Sequence, residues 1–475
     1  MTAPRSMTPQ GKGPLPRTRP YEVGIDPAAI TAFVQTVNEQ VGGLHSMMLL
    51  RHGQVAAEAW WDPFTPDEPH ILYSLSKSFT STAAGLAISE GRFALDERVI
   101  SFFPDKLPEV PDDHLQEMRV RDLLTMSTGH ESEPFPKSDD WVKDFLAAPV
   151  PRKPGTHFLY NTPATHVAAA IVQKTTGERL LDYLASRLFE PLGIEDATWV
   201  QSPAGVDAGG YGLKLKTEDI AKFGQLLLQK GEWNGQRIVP ESWVEEATRK
   251  QVSNGDPTEP HDWSQGYGYQ FWRCRHEAYR GDGAFGQFCI VMPAQDVVLA
   301  ITSGVGDMGA ILEAVWTHLL PGMVEPGSSE GEEALKAELV ALKVPAPVGQ
   351  ATSPLASKVS GHIWKMATNA EGIETVQIRF EGDGGTVETT GANGSQRLAF
   401  GTEEWVRTKP DLAAQGAWAG EDRFTLRTYR LDSPHAWDET YVFEGDRLEI
   451  RDRAWNLLLF GPREREELHG QKISM

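Results

Sequence analysis

At 475 residues, with 40% hydrophobic and 23% charged side chains, the chain has the composition of a soluble globular protein too long for one compact core. Its 45 Lys and Arg against 66 Asp and Glu leave a formal net charge of −21, which disfavours nucleic acid and anionic membrane surfaces as partners. The N-terminus lacks the apolar core of a signal peptide and no stretch has the apolar length to span a bilayer. Cys274 and Cys289 can pair, but two thiols in so long a chain read as buried residues of a reducing compartment. The expectation is a cytoplasmic protein.

Residues 1–20, poor in bulky apolar groups, read as a flexible tail. Asp26-Pro27 opens a helix, and residues 46–56 read as a hairpin turning at His52-Gly53. Leu75, Phe79, Ala83 and Leu86 recur at helical spacing, with Gly91 where that helix would stop. Val120–Met126 and Val167–Lys174 predict further helices, and Thr217–Gln229 an amphipathic one capped by Thr217. Strand-like runs follow at Gly268–Trp272, Phe285–Val291 and Val297–Thr302. Strands at both ends of a helical middle predict an α+β domain over 21–322, an antiparallel sheet flanked by helices. Residues 323–353 read as a linker with a short charged helix near 331–343. From 354 to 475, alternating runs such as Val376–Phe380, Phe424–Tyr429 and Tyr441–Phe443 predict a small antiparallel β-barrel or sandwich.

Ser74 and Lys77 form S-x-x-K at the start of the first long helical pattern. Residues three apart share a helix face, so the Lys77 amine can reach the Ser74 hydroxyl. Near a helix start, free N–H groups also favour developing negative charge. A serine is a nucleophile only when a base takes its proton, and a lysine is that base only when burial or positive neighbours lower its pKa. The same four-residue pattern also arises in ordinary helices with a capping serine.

The chain as far as about residue 320 resembles the serine β-lactamase and penicillin-binding-protein superfamily, in its branch with class C β-lactamases, family VIII carboxylesterases and D-aminopeptidases. The resemblance rests on Tyr73–Thr80, Arg121-Asp122-Leu123-Leu124-Thr125-Met126-Ser127-Thr128-Gly129, Pro154–Tyr160, Gly210–Lys214 with Thr217–Ala221, and Trp233–Gln236, in that order. It implies that Ser74 is the acylated nucleophile and that Lys77 and Tyr160 form the base system. It also implies an oxyanion hole made by the backbone N–H groups of Ser74 and Ala284.

Two departures bear on substrate. The family often reads Y-x-N, whereas Tyr160-Asn161-Thr162 leaves the contact to Asn161 or to Thr162. The third motif usually carries Lys or His where this chain has Gly281, in Gly281-Asp282-Gly283-Ala284. Arg280 is adjacent but points to the other face of a strand. Gly283 permits close approach of that strand to the nucleophile, the alternative being a plain glycine-rich turn. His130 is a candidate cleft residue or a surface one. Trp141 and Trp263, in loops 131–141 and 251–265, suggest an aromatic-walled pocket.

Other patterns carry no chemistry. Gly327-Ser328-Ser329-Glu330-Gly331 matches G-x-S-x-G but lacks the strand and helix that motif needs. His114, His157, His166 and His261 have no metal spacing, and no glycine loop follows a strand, so neither metal nor cofactor is expected. The resulting expectation is a serine hydrolase of small-molecule esters, without nucleic-acid or membrane partners. An amide or peptide hydrolase is the rival, and a non-catalytic ligand-binding relative the alternative of another class.

Overall fold

Strand β1 (Leu44–Arg51) and strand β2 (Gln54–Trp60) form the hairpin expected at His52-Gly53, both turn residues having positive φ. The computed structural model describes residues 12–259, 261–324, 329–392, 394–455 and 465–473. Ahead of the hairpin lies α1 (Pro27–Thr36), whose cap Asp26 accepts from the Ala28 N–H. After it come α2 (Ser76–Ser89), α3 (Thr162–Thr176) and α4 (Thr217–Leu228). Strands β3 (Trp272–Arg273), β4 (Tyr279–Gly283), β5 (Gln287–Met292) and β6 (Val297–Ser303) close the domain. The sheet order is β2-β1-β6-β5-β4-β3, antiparallel throughout, so both ends of the domain complete it as expected.

Alternate residues of these strands feed two separate cores, as a two-residue period dictates. Met48, Leu50, Val291 and Val298 pack with α2, α3 and α4. Met47, Leu49, Ile290 and Leu299 pack with α1 and the helical segment around Ile311 and Val315. The result is an α+β domain with its antiparallel sheet covered by helices on both faces.

Several boundaries differ from the sequence expectation for identifiable reasons. The run Gly268–Trp272 is mostly not strand, because Gln270 has φ +66° and breaks it; pairing begins at Trp272. Strand β5 starts at Gln287 because Phe285 and Gly286, both at positive φ, make the turn from β4. Helix α3 begins five residues earlier than its periodicity suggests, with Asn161 as cap and Pro163 in the first turn. The N-terminus of α4 is capped by Asp219, which accepts from the Lys216 N–H, while the Thr217 hydroxyl is engaged with Ser46.

Segments expected to be loose are pinned. Leu15 is buried, Val55 exchanges hydrogen bonds with Pro16 and Thr18, and Arg17 pairs with Glu58 and Glu218. Residues 1–11 of the expected tail lie outside the described residues, as do Gly327 and Ser328 of the G-x-S-x-G match. Within the expected linker, the helix Glu332–Val340 buries Leu335, and Asp62 bonds to Leu342 and Val344.

The C-terminal region is a ten-stranded barrel from Ile363–Met366 to Leu468–Lys472, closed where Gly401 pairs with Gln415. Trp364, Trp418, Phe424, Tyr441 and Phe443 fill it. Its outer residues Trp405, Tyr429, Leu431 and Ala436 share a core with the α+β domain, so the two are packed together. Among the described residues no helix is long and apolar enough to cross a membrane. Cys274 and Cys289 are buried free thiols.

Candidate active site

Helix α2 runs through the middle of the domain and is buried almost all round, from Ser76 to Ala87, so its polar as well as its apolar residues face protein. Three of its polar residues find partners on other elements: Ser78 donates to Gln270 O, Thr80 to Gly209 O, and Ser76 accepts from the Leu213 N–H. A single 3-10 turn, Tyr73–Leu75, feeds the helix, so Ser74 sits in that tighter turn and not in the α-helical first turn. Ser74 is partly exposed, whereas Lys77 is 1% exposed.

Lys77 Nζ lies 3.0 Å from Ser74 Oγ, 2.8 Å from Gly210 O and 3.3 Å from Thr162 Oγ1. A neutral amine has two N–H donors and one lone pair. As an ammonium, Lys77 donates to Gly210 O, Thr162 Oγ1 and Ser74 Oγ; on losing a proton it keeps two donors and gains a lone pair able to accept from the Ser74 O–H. Burial brings Lys77 down from 10.5 to about 7, against the opposing pull of the Glu133 and Asp282 carboxylates. The amine is therefore poised to exchange a proton near neutrality.

Tyr160 completes the group. Its ring lies 4.8 Å below Lys77 Nζ, and the Ser74 hydroxyl acts on its phenol, favouring the ionised form against burial. Burial, reinforced by Asp282, pushes the phenol up, so it holds its proton. Trp272 stacks on the Tyr160 ring at 5.3 Å, and Tyr267 meets it edge-on. Ser74, Lys77 and Tyr160 are thus brought within contact, in an arrangement that can move one proton from serine to lysine and another from tyrosine to a leaving group.

The strand β4 supplies the opposite wall. A Cβ built on Gly283 falls 2.0 Å from Leu72 O and 3.1 Å from Ser74 N, so only glycine fits. That approach brings the Ala284 segment alongside the Ser74 amide. Gly281 is equally tight, its Cβ meeting Leu75 and Ser78 at 2.5 Å. Arg280 does not replace a cation there: it is fully buried, donating to Asp282, Asp262 O and Cys274.

Of the Asn161–Thr162 pair, Thr162 reaches Lys77. Asn161 is fully buried, accepting from the Ala164 N–H and donating to Thr128, so its amide is turned from the cleft into the cap of α3. His130 belongs to the same interior network, bonded through Nδ1 to Thr128 and packed on Phe145. It is 2% exposed, and burial lowers it to about 4. It is neither a surface nor a cleft residue. Trp263 stacks over the Arg280 guanidinium at 4.4 Å and packs, like Tyr160, against the cluster of Met126, Tyr267 and Trp272, while Trp141 packs beside Tyr211.

Sequence reasoning passed over Glu133, which accepts from the Thr162 N–H at 2.8 Å and acts electrostatically on Lys77. It lies in the loop that was singled out, but nothing in its own pattern marks it. Gly210 acts through its backbone carbonyl, and a Cβ there would meet Thr162 at 2.7 Å. Among the described residues, the grouping that has metal-ligand spacing is Glu449, Glu467 and His469, in the barrel.

The beta-lactamase family profile matches residues 30–311, more than half of the chain. The 6-aminohexanoate-dimer hydrolase of Paenarthrobacter ureafaciens is 28% identical over 219 residues, covering 42% of this chain and 56% of that protein. The D-aminopeptidase of Brucella anthropi is 25% identical over 195 residues, covering 38% of this chain and 37% of the peptidase. The chain thus matches about half or less of the length of these relatives. The octameric penicillin-binding protein homologue from Pyrococcus abyssi superposes with a TM-score of 0.51 at 16% identity, over 93% of this chain and 99% of that one. That likeness is of fold, and it extends into the barrel.

Proposed function

The chain belongs to the beta-lactamase family, and we propose that it is a serine hydrolase cleaving carboxylic esters through an acyl-Ser74 intermediate. The observation that carries this reading is the buried Lys77 amine, 3.0 Å from Ser74 Oγ and lowered to about 7. Lys77 takes the serine proton as Oγ bonds to the substrate carbonyl carbon. The N–H groups of Ser74 and Ala284 hold the oxyanion. Tyr160, which retains its proton, gives it to the departing alkoxide and is reprotonated from Lys77. Water then attacks the acyl carbon by the same route in reverse and frees Ser74.

Preference for esters rests on Gly281. A side chain there would collide with Leu75 and Ser78, so this position offers no cation to a substrate carboxylate. A charge-assisted hydrogen bond of that kind is worth about 1.5–3 kcal/mol. A second reading, hydrolysis of amides that bear a free amine, is favoured by Glu133, an acidic group beside Thr162 and Lys77. The likeness to a 6-aminohexanoate-dimer hydrolase and to a D-aminopeptidase is compatible with it.

The test is turnover of p-nitrophenyl esters, a D-amino-acid p-nitroanilide and a chromogenic cephalosporin by the native protein and by Ser74→Ala. Ester turnover lost in a folded Ser74→Ala supports the proposal. Anilide turnover exceeding ester turnover replaces it with the amide reading. Activity that survives Ser74→Ala contradicts both.

A further inference from the structure

The barrel loop between the strands Arg423–Arg430 and Ala436–Glu444 reaches the nucleophile turn. It is docked there by specific contacts. Asp432 accepts from the Ile71 N–H at 2.9 Å and pairs with Lys214. Pro434 O lies so near Gly304 that a Cβ on that glycine would stand 2.6 Å from it. Leu431, at the base of the loop, is buried in the shared core.

His435 ends this loop and touches both sides of the expected oxyanion hole. Its Nε2 shares a 2.7 Å hydrogen bond with the Tyr73 hydroxyl, and its ring meets Phe285 edge-on at 5.7 Å. Tyr73 and Phe285 in turn meet edge-on at 5.3 Å. Tyr73 immediately precedes Ser74, and Phe285 immediately follows Ala284.

Both contacted residues are strained. Tyr73 has φ +46° and Phe285 φ +67°, a region that is costly for bulky residues and persists only when the surroundings impose it. The ψ of Tyr73 orients the peptide plane that carries the Ser74 N–H. The turn at Phe285 fixes where β4 ends, and with it Ala284. A residue that holds both rings therefore holds the relative placement of both donors.

We propose that His435, supplied by the barrel, is a positioning residue for the oxyanion hole, acting through Tyr73 and Phe285. The proposal rests on reading Ser74 as the nucleophile. It gives the barrel a part in the chemistry: its loop stiffens a strained pair of turns that the α+β domain leaves at the seam between the two units.

The experiment measures p-nitrophenyl ester kinetics and the rate of fluorophosphonate labelling at Ser74 in the full chain. It compares the native protein with His435→Ala, His435→Gln, Tyr73→Phe and His435→Ala/Tyr73→Phe, with unfolding midpoints for each. Misplacing donors without deleting one should lower kcat and labelling about 10- to 100-fold in His435→Ala, with KM changed by less than about threefold. Tyr73→Phe should show a loss of the same kind, the double variant should be little worse than the poorer single one, and His435→Gln should recover most of the rate. An unchanged kcat in folded His435→Ala, or losses that multiply in the double variant, would overturn the proposal. Failure of the native protein to label at Ser74 would instead overturn the nucleophile assignment, and the clamp with it.

Discussion

Gly283→Ala is the sharpest structural perturbation of the site. A Cβ at that position would stand 2.0 Å from Leu72 O, against an ordinary carbon–oxygen contact of about 3.3–3.6 Å. Strand β4 and the nucleophile turn must then separate by roughly 1 Å or more. The turn cannot yield freely, because the Leu72 N–H is bonded to Leu213 O at 2.8 Å and Leu75 is fully buried. A displacement of about 1 Å costs some 10²-fold in rate, and loss of one oxyanion donor about 10²–10³-fold. The expected result is a fall in kcat of roughly 10²–10³, with KM nearly unchanged. Steady-state ester hydrolysis measures it, alongside Gly306→Ala, whose Cβ would meet nothing within 4 Å. A folded Gly283→Ala that keeps its kcat would refute the oxyanion geometry.

With the neutral amine as base, kcat/KM should rise about tenfold per pH unit below about 7 and level off above it. Glu133 raises Lys77, so Glu133→Gln should move that limb to lower pH; movement upward contradicts the assignment. Lys77 is depressed from 10.5 to about 7 on folding, so the unfolded chain binds more protons between those values. Urea-unfolding stability should therefore gain a contribution that increases with pH across that window and is absent in Lys77→Met. Asn161→Ala should lower the unfolding free energy by about 1 kcal/mol through the lost cap and leave KM unchanged. A raised KM at undiminished stability would put the amide in the substrate site.

The hairpin, two of the three late strand runs and the barrel were legible because they rest on two-residue periodicity and turn residues, whereas Gly268–Trp272 was misleading because Gln270 at positive φ breaks it. The proximity of Ser74 and Lys77 was legible because three-residue spacing survives the change from a 3-10 turn to an α-helix. The choice between Asn161 and Thr162 was not, since it depends on where α3 starts and hence on which side chain serves as cap. Glu133 and His435 lie in loops, where no period constrains direction and partners are distant in sequence. Arg17 and Leu15 show the same limit: a stretch of poor apolar content is held by ion pairs and one buried leucine that composition alone does not reveal.

The most direct measurement of the central claim is intact-protein mass spectrometry after a fluorophosphonate probe, with the adduct mapped by peptide sequencing. The account predicts one adduct per chain, on Ser74, forming faster as pH rises through about 7 and absent from Ser74→Ala. An adduct on another residue, or ester turnover by a native chain that leaves Ser74 unmodified, would contradict it.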